Sequence, residues 1–276
     1  MSVFASIIYG LISGLAEFLP VSSRGHQALL RYLFGAETRI PLQELLVHIG
    51  VLFSVFFACS EVLQKIVREQ RMHSSQQRRK MRYINSKSYF DLRLLKTAAV
   101  PLFIGLFVYF STAKFECSLL IVMAFWIVNS VILFVADHMP RGNRDSETMS
   151  ALDGIGMGII GILSVLPGIS RTGAISFYAI ARGVDNKNTI NWSLLLGIPA
   201  LIFAILFDIA SFATYGIAVE SVGAVFGCVL SGIAAFVGGC FGISLFKLIL
   251  NHSGLSKFAY YSIGAALFTF AIYLIT

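Results

Sequence analysis

Charge is what this sequence has least of. Only 13% of its 276 residues are Asp, Glu, Lys or Arg, against 57% hydrophobic, and the mean hydropathy is +0.81. A water-soluble domain cannot hide that much apolar surface, so the composition excludes one and makes lipid the main solvent of the chain. Cysteine is sparse as well. Cys59, Cys117, Cys228 and Cys240 lie in or beside apolar stretches with no CxxC or Cys/His spacing, which excludes a disulfide framework and a zinc site and leaves them as small packing residues. No Lys or Arg precedes Arg24 and no small-residue cleavage site follows the apolar run 3–15. That run is therefore read as mature structure and not as a signal peptide.

What the chain has instead is a series of long apolar runs. At 1.5 Å per residue, segments 41–59, 117–136 and 258–275 each cross a hydrocarbon core of about 30 Å. The net charge of +7 sits in one place: ten Lys and Arg residues from Lys65 to Lys96 stand against Glu61, Glu69 and Asp91. No aromatic stacking pattern or nucleic-acid module accompanies them, so nucleic acid is not an expected partner, and the loop 61–96 reads as a topology signal beside anionic headgroups.

With that loop on the cytoplasmic side, segments 97–112 and 117–136 form a hairpin that returns to the cytoplasm, where Arg141 and Arg144 follow. Residues 154–182 are interrupted at Pro167-Gly168, so they enter and leave on one face. Segment 192–212 then runs outward, 219–250 inward with a strong tilt or a kink near Gly238-Gly239, and 258–275 outward. Carried backward, the scheme makes 3–34 a second broken pair, entering from outside and interrupted at Pro20.

Setting Pro20 over Pro167 aligns Gly14 with Gly161, Leu19 with Leu166, Ser23 with Ser170, Arg24 with Arg171 and Gly50 with Gly197. The shared kernel is Leu-Pro-x-x-Ser-Arg, and the two breaks it joins lie on opposite faces by the charge rule. The expected fold is an all-α integral membrane protein in which two halves, 1–137 and 138–276, form an inverted-topology repeat. Each half carries a re-entrant broken pair and three transmembrane helices.

Irregular backbone inside a membrane is tolerated only where it is buried in protein or lines a wet cavity. The two Ser-Arg turns suit an anion there: the half-helices starting near Ser23 and Ser170 present unpaired N–H groups and a positive dipole end, and Arg24 and Arg171 add charge. An arginine within a membrane costs about 2.5–3.5 kcal/mol unless paired or hydrated. Arg171, embedded in Pro167-Gly-Ile-Ser-Arg-Thr-Gly173, reads as functional. Arg24 either joins it or balances Glu17, an intramembrane carboxylate that needs a cation, a metal or a proton-transfer task. Ser23 and Ser170 can cap their helices and bind phosphate at once. His26, one turn past the break, is a core histidine or part of the site; beside Glu17 and the Ser-Arg turns the second reading is preferred. Glu44 and His48 share a helix face that points to the site or to solvent, while Asp208 and Asp153 read as interfacial.

With these residues in view, the chain resembles the bacterial undecaprenyl-diphosphate phosphatase family, known for bacitracin resistance. The resemblance spans nearly the whole length and is strongest at Glu17-Phe-Leu-Pro-Val-Ser-Ser-Arg-Gly-His26 and Pro167-Gly-Ile-Ser-Arg-Thr-Gly-Ala174. It implies an inverted-repeat fold in the bacterial plasma membrane, with both termini and the active site towards the outer face. The implied reaction is loss of one phosphate from undecaprenyl diphosphate, recycling the carrier lipid of cell-wall synthesis. Glu17 matches the second acidic residue of the first motif, Ser23 and His26 its Ser and His, and Ser170-Arg171-Thr172 the Ser-Arg-Ser core of the second. Glu17, His26, Ser23, Arg171 and Ser170 are thus the expected catalytic set, with Arg24, Thr172, Gly168, Gly173, Ser13, Ser176, Glu44 and His48 around the substrate. A Mg²⁺ or Ca²⁺ ion bridging Glu17 to the diphosphate is compatible with the resemblance, as is a homodimer.

Three positions depart from the pattern. Ser13 stands at the first acidic position, Ile175 where a Thr closes the second motif with Ser176 one residue late, and Arg24 where a Thr is common. Loss of one carboxylate removes a hard-cation ligand or a partner that tunes the other acid. This motivates a second reading, a homologue that binds or transports a polyprenyl phosphate across the membrane.

Overall fold

The computed structural model describes residues 1–36, 39–71, 92–112, 118–146, 148–215 and 221–275. Its regular structure is helical: α1 (Val3–Phe18), α2 (Ser23–Leu33), α3 (Pro41–Ala58), α4 (Ser60–Arg71), α5 (Leu92–Thr112), α6 (Leu119–His138), α7 (Ala151–Gly161), a 3₁₀ turn (Ile162–Val165), α8 (Arg171–Ala181), α9 (Asn186–Leu195), α10 (Gly197–Tyr215), α11 (Val222–His252) and α12 (Ser256–Ile275). Among the described residues no strand forms beyond a single parallel bridge between Arg144 and Val184. Five stretches are long and apolar enough to cross a membrane: α3, α6, the run Asn186–Thr214, α11 and α12. Phe53, Phe57, Val131, Phe241 and Leu267 stand exposed on these helices, which is stable only against acyl chains. The chain is an all-α membrane protein.

Local chemistry explains where the helices stop. Leu19 and Leu166 both precede a proline and both are extended (ψ 150° and 119°), because the proline ring disfavours the helical region for its predecessor. α1 and the α7–3₁₀ segment therefore end at corresponding places, and α2 and α8 restart a few residues later. Pro41 opens α3 at the position where a missing N–H costs nothing. At the start of α7, Ser150 and Asp153 form a reciprocal capping box.

Packing runs crosswise between the halves of the chain. α1 lies along α11 and α7 lies along α5, while α3 meets α10 and α6 meets α12. Backbones touch at the first two contacts: a Cβ on Gly14 would fall 2.1 Å from the Ala235 carbonyl oxygen, and one on Gly158 would fall 2.1 Å from that of Ala98. Around these seams, Tyr9, Phe18, Val47, Val51, Leu133, Ile180, Ile243 and Phe246 build the main core.

Several expectations are corrected. The loop 61–96 begins as a helix, since α4 continues to Arg71; residues 72–91 lie outside the described residues. The span 192–212 is two helices that meet at Leu196, and its helical start is earlier, at Asn186, where Asp185 caps. The segment 219–250 is unbroken from Val222 to His252. Gly238 and Gly239 do not interrupt it; they let α1 and α3 approach, since a Cβ on them would meet the Leu11 carbonyl at 2.3 Å and the Ser54 hydroxyl at 2.2 Å. Cys117, the expected first residue of 117–136, lies outside the described residues.

Asp153 is fully buried within the protein. It accepts from Arg182 Nε at 2.6 Å, Arg144 Nη2 at 2.8 Å and the Ser150 backbone N–H at 2.8 Å. Burial works against its charge, but the Ser150 N–H, the two arginines and the Ser150 hydroxyl outweigh it and hold the carboxyl far below the usual carboxylate range.

Candidate active site

The two helix breaks meet back to back. Ser22, at the first, has φ 67°, a left-handed conformation that a side chain rarely adopts. Its hydroxyl accepts from Gly25 N at 3.3 Å, capping α2, and from Gly168 N at 3.0 Å in the other break. Gly168 itself sits at φ 120°, where only glycine is at ease. Ser170 caps α8 through Gly173 N at 3.2 Å and donates back to the Leu19 carbonyl at 3.1 Å. Asn129 on α6 stitches both: its Nδ2 donates to Pro20 O at 3.0 Å and its Oδ1 accepts from Ser170 N at 2.9 Å. Trp126 adds an indole donor to Val21 O at 2.9 Å, so the carbonyls and amides freed by the breaks find partners inside the protein.

This stitching sets two helix N-termini around one cleft, lined by Glu17, Ser22, Ser23, Arg24, Gln27, His48, Ser164, Ser170 and Arg171 among others. Arg171 and Glu17, 154 positions apart, pair at 2.9 Å. The other oxygen of Glu17 accepts from the Ser23 hydroxyl. Nε and Nη2 of Arg171 are buried and have no hydrogen-bond partner among the described residues, an expensive state for a guanidinium and one that a ligand oxygen relieves. Gly197 leaves room for them, since a Cβ there would sit 3.0 Å from Nη2. The cleft thus offers converging donors, two helix dipoles and a hydroxyl aimed at a carboxylate. Such a set holds a phosphate group and presents a nucleophile to it.

Of the residues singled out from the sequence, Glu17, Ser23, Arg24, His48, Ser170 and Arg171 line this cleft. Gly168, Gly173 and Thr172 shape it from behind: Thr172 donates to the Glu17 carbonyl at 3.3 Å, and a Cβ on Gly173 would fall 2.9 Å from Leu133. His26 does not face the cleft. Its ring is stacked on Tyr261 and edge-on to Trp126, with Nδ1 at 2.7 Å from Ser22 O and Nε2 at 2.7 Å from the Tyr261 hydroxyl. Glu44 also turns aside, held by Tyr9 OH at 2.5 Å and Arg31 at 3.2 Å. Ser13 is buried outside the cleft with an unpartnered hydroxyl, and Ser176 bonds Ser193 at 3.0 Å.

Asp208, Gln27, Ser164 and Asn129 are the residues that sequence reasoning missed. Asp208 is buried and lies 2.6 Å from Nδ1 of His48. The signal for it was available: a lone carboxylate in Ile205-Leu-Phe-Asp-Ile209 obeys the same intramembrane rule that picked out Glu17.

Known proteins resemble this chain in sequence. A chain of Alkaliphilus metalliredigens named undecaprenyl-diphosphatase is 31% identical over 277 residues, covering 99% of this chain and all of its own length. One of that name from Thermosipho africanus is 30% identical and covers 96% of this chain and 98% of its own. Another from Methanococcus maripaludis is 27% identical with 95% and 97% coverage. The family described as bacitracin resistance protein BacA matches residues 6–268, nearly the whole sequence and both helix breaks, and to that family the chain belongs.

Proposed function

We propose that the protein hydrolyses undecaprenyl diphosphate to undecaprenyl phosphate and inorganic phosphate, renewing a carrier lipid for cell-wall synthesis. The observation that carries this reading is the meeting of Glu17, Ser23 and Arg171 from the two halves of the chain. The names of the relatives favour catalysis over transport of a polyprenyl phosphate. Arg171 binds phosphate oxygens through its Nε and Nη2, with Ser170 and Arg24 beside it, and spreads the charge that develops as the phosphoryl group departs. The Ser23 oxygen attacks the terminal phosphorus while Glu17 takes its proton. The anhydride bond breaks and its electrons leave on undecaprenyl phosphate, a weak base that departs without a proton. Water then frees phosphate from Ser23. His26, removed from the cleft, supports the break through Ser22 and takes no part in proton transfer.

A Mg²⁺ or Ca²⁺ ion would be held by Glu17 and would neutralise charge on the diphosphate. Both Glu17 oxygens already have partners, and no cluster of three or more His, Cys, Asp or Glu side chains forms among the described residues. Glu17 alone would thus hold such an ion, with most of the ligands coming from outside the protein.

The inverted repeat belongs to the same proposal. Breaks at Pro20 and Pro167 and the crosswise seams of α1 on α11 and α7 on α5 support a two-fold relation between 1–137 and 138–276, each with its re-entrant pair. The cation-rich stretch 61–96 favours a cytoplasmic position for it, with the termini and the cleft towards the outside. The test is phosphate release from undecaprenyl diphosphate by the purified chain in detergent, with and without divalent cations. Turnover that falls more than about 100-fold in Glu17→Gln supports the reading. Absence of release under every cation, with lipid binding retained, overturns it.

A further inference from the structure

The chemistry proposed above leaves one proton without a destination. Once Ser23 has been phosphorylated, Glu17 holds the proton that the hydroxyl gave up, because the departing lipid phosphate does not need it. Glu17 is then an acid, ready to return the proton to the Ser23 oxygen, and it cannot also receive one from the incoming water. A second base is required within the same cleft.

His48 is the group that fits. It lines the same cleft as the Ser-Arg turns, and its Nδ1 lies 2.6 Å from the carboxylate of Asp208 on α10, 160 positions away. A carboxylate facing Nδ1 favours the tautomer with the shared hydrogen on Nδ1 and the lone pair on Nε2. Nε2 makes no hydrogen bond to a described residue, and about a fifth of the side chain remains exposed. Among the described groups lining the cleft, it is the one basic atom that the protein leaves unoccupied. A carboxylate that fixes the tautomer and ring orientation of a histidine is the standard physical means of making its far nitrogen a proton acceptor.

We propose that His48, positioned by Asp208, is the base of the second half-reaction. This inference rests on the phosphatase reading. A water oxygen bonds to the phosphorus on Ser23 and gives its proton to Nε2 of His48. The bond from phosphorus to the Ser23 oxygen breaks, and that oxygen recovers the proton from Glu17. Phosphate leaves, and His48 returns its proton to solvent, restoring the starting state. Asp208 touches no reacting atom and is a positioning residue.

Rapid mixing of the full-length protein in detergent with undecaprenyl diphosphate tests this, following undecaprenyl phosphate, free phosphate and the mass of the Ser23 peptide. His48→Ala should release one undecaprenyl phosphate per chain at nearly the wild-type rate, then free phosphate about 100-fold more slowly, with a phosphoryl group trapped on Ser23. Added imidazole should restore phosphate release. Asp208→Asn should show the same stall without imidazole rescue, because an amide donor at Nδ1 forces the proton onto Nε2. Wild-type turnover in His48→Ala overturns the proposal. So does a first turnover slowed as much as the later ones with no phosphoryl group on Ser23, the result of a purely structural role. A wild-type protein that releases no phosphate fails the phosphatase reading itself, which separates the two.

Discussion

The two helix breaks solve one backbone problem with different residues. Each follows a Leu-Pro pair, each restarts with a serine cap, and each must turn the chain inside the protein. The second turns on Gly168, which reaches φ 120° without strain; the first turns on Ser22, which reaches φ 67° against the preference of any side chain. Because Ser22 is the cap, the first helical residue of α2 is Ser23, whereas the first of α8, after its cap Ser170, is Arg171. The first helical residue thus carries a hydroxyl in α2 and a guanidinium in α8, although the aligned motifs set Ser23 over Ser170, and both groups address Glu17.

The sharpest way to break this comparison is to remove either member. Ser23→Ala should lower kcat/KM by about 10⁴-fold with the KM for the lipid little changed, and Arg171→Ala by about 10³-fold, measured as phosphate release. Equal behaviour of Ser23→Ala and wild type would reassign the attacking oxygen.

The backbone half of the comparison is tested by exchange at the turn residues. Gly168→Ala should cost about 3 kcal/mol, because it combines a forbidden φ with a Cβ placed 2.6 Å from Phe125 and from the Val122 carbonyl. Ser22→Gly should cost only about 1 kcal/mol, since relief of strain offsets part of the lost hydroxyl. Thermal unfolding in detergent reads both.

Asn129→Leu comes next, at about 2 kcal/mol, because it strands Ser170 N and Pro20 O together. The smallest effect lies at the far ends of the broken pairs. α1 starts at Ser2 with no acid in its first turn, whereas α7 starts at the Ser150–Asp153 box. The Asp153 carboxyl is depressed from 3.8, so its contribution is complete above about pH 4 and is lost as acid drives the pH down towards its folded value. Wild type should therefore lose melting temperature below about pH 4, and Asp153→Asn should flatten that slope.

Local rules in the sequence are enough to foresee the breaks at Pro20 and Pro167, the helical class, and the convergence of Glu17, Ser23, Arg24, Ser170 and Arg171 on one cleft. These follow from proline, from membrane electrostatics and from a repeated motif. The orientation of His26 is not legible, since what turns its ring away is Trp126 and Tyr261, partners 100 and 235 positions off. His48 and Asp208 find each other only because α3 packs on α10. The close approach at Gly238-Gly239 is ambiguous in sequence for a similar reason: a bend and a near neighbour ask for the same residue, and the neighbours, α1 and α3, are seen only in the packed structure.

The seam between α1 and α11 has a consequence for how the protein is made. At 16 residues α1 is about 24 Å long, shorter than the hydrocarbon core, and Glu17 sits near its end. The surface cut to receive it belongs to a helix that starts at Val222, late in translation. Until that helix has been made, α1 lacks the partner it packs against most. The seam therefore closes late in synthesis, after the two helix breaks have both left the ribosome.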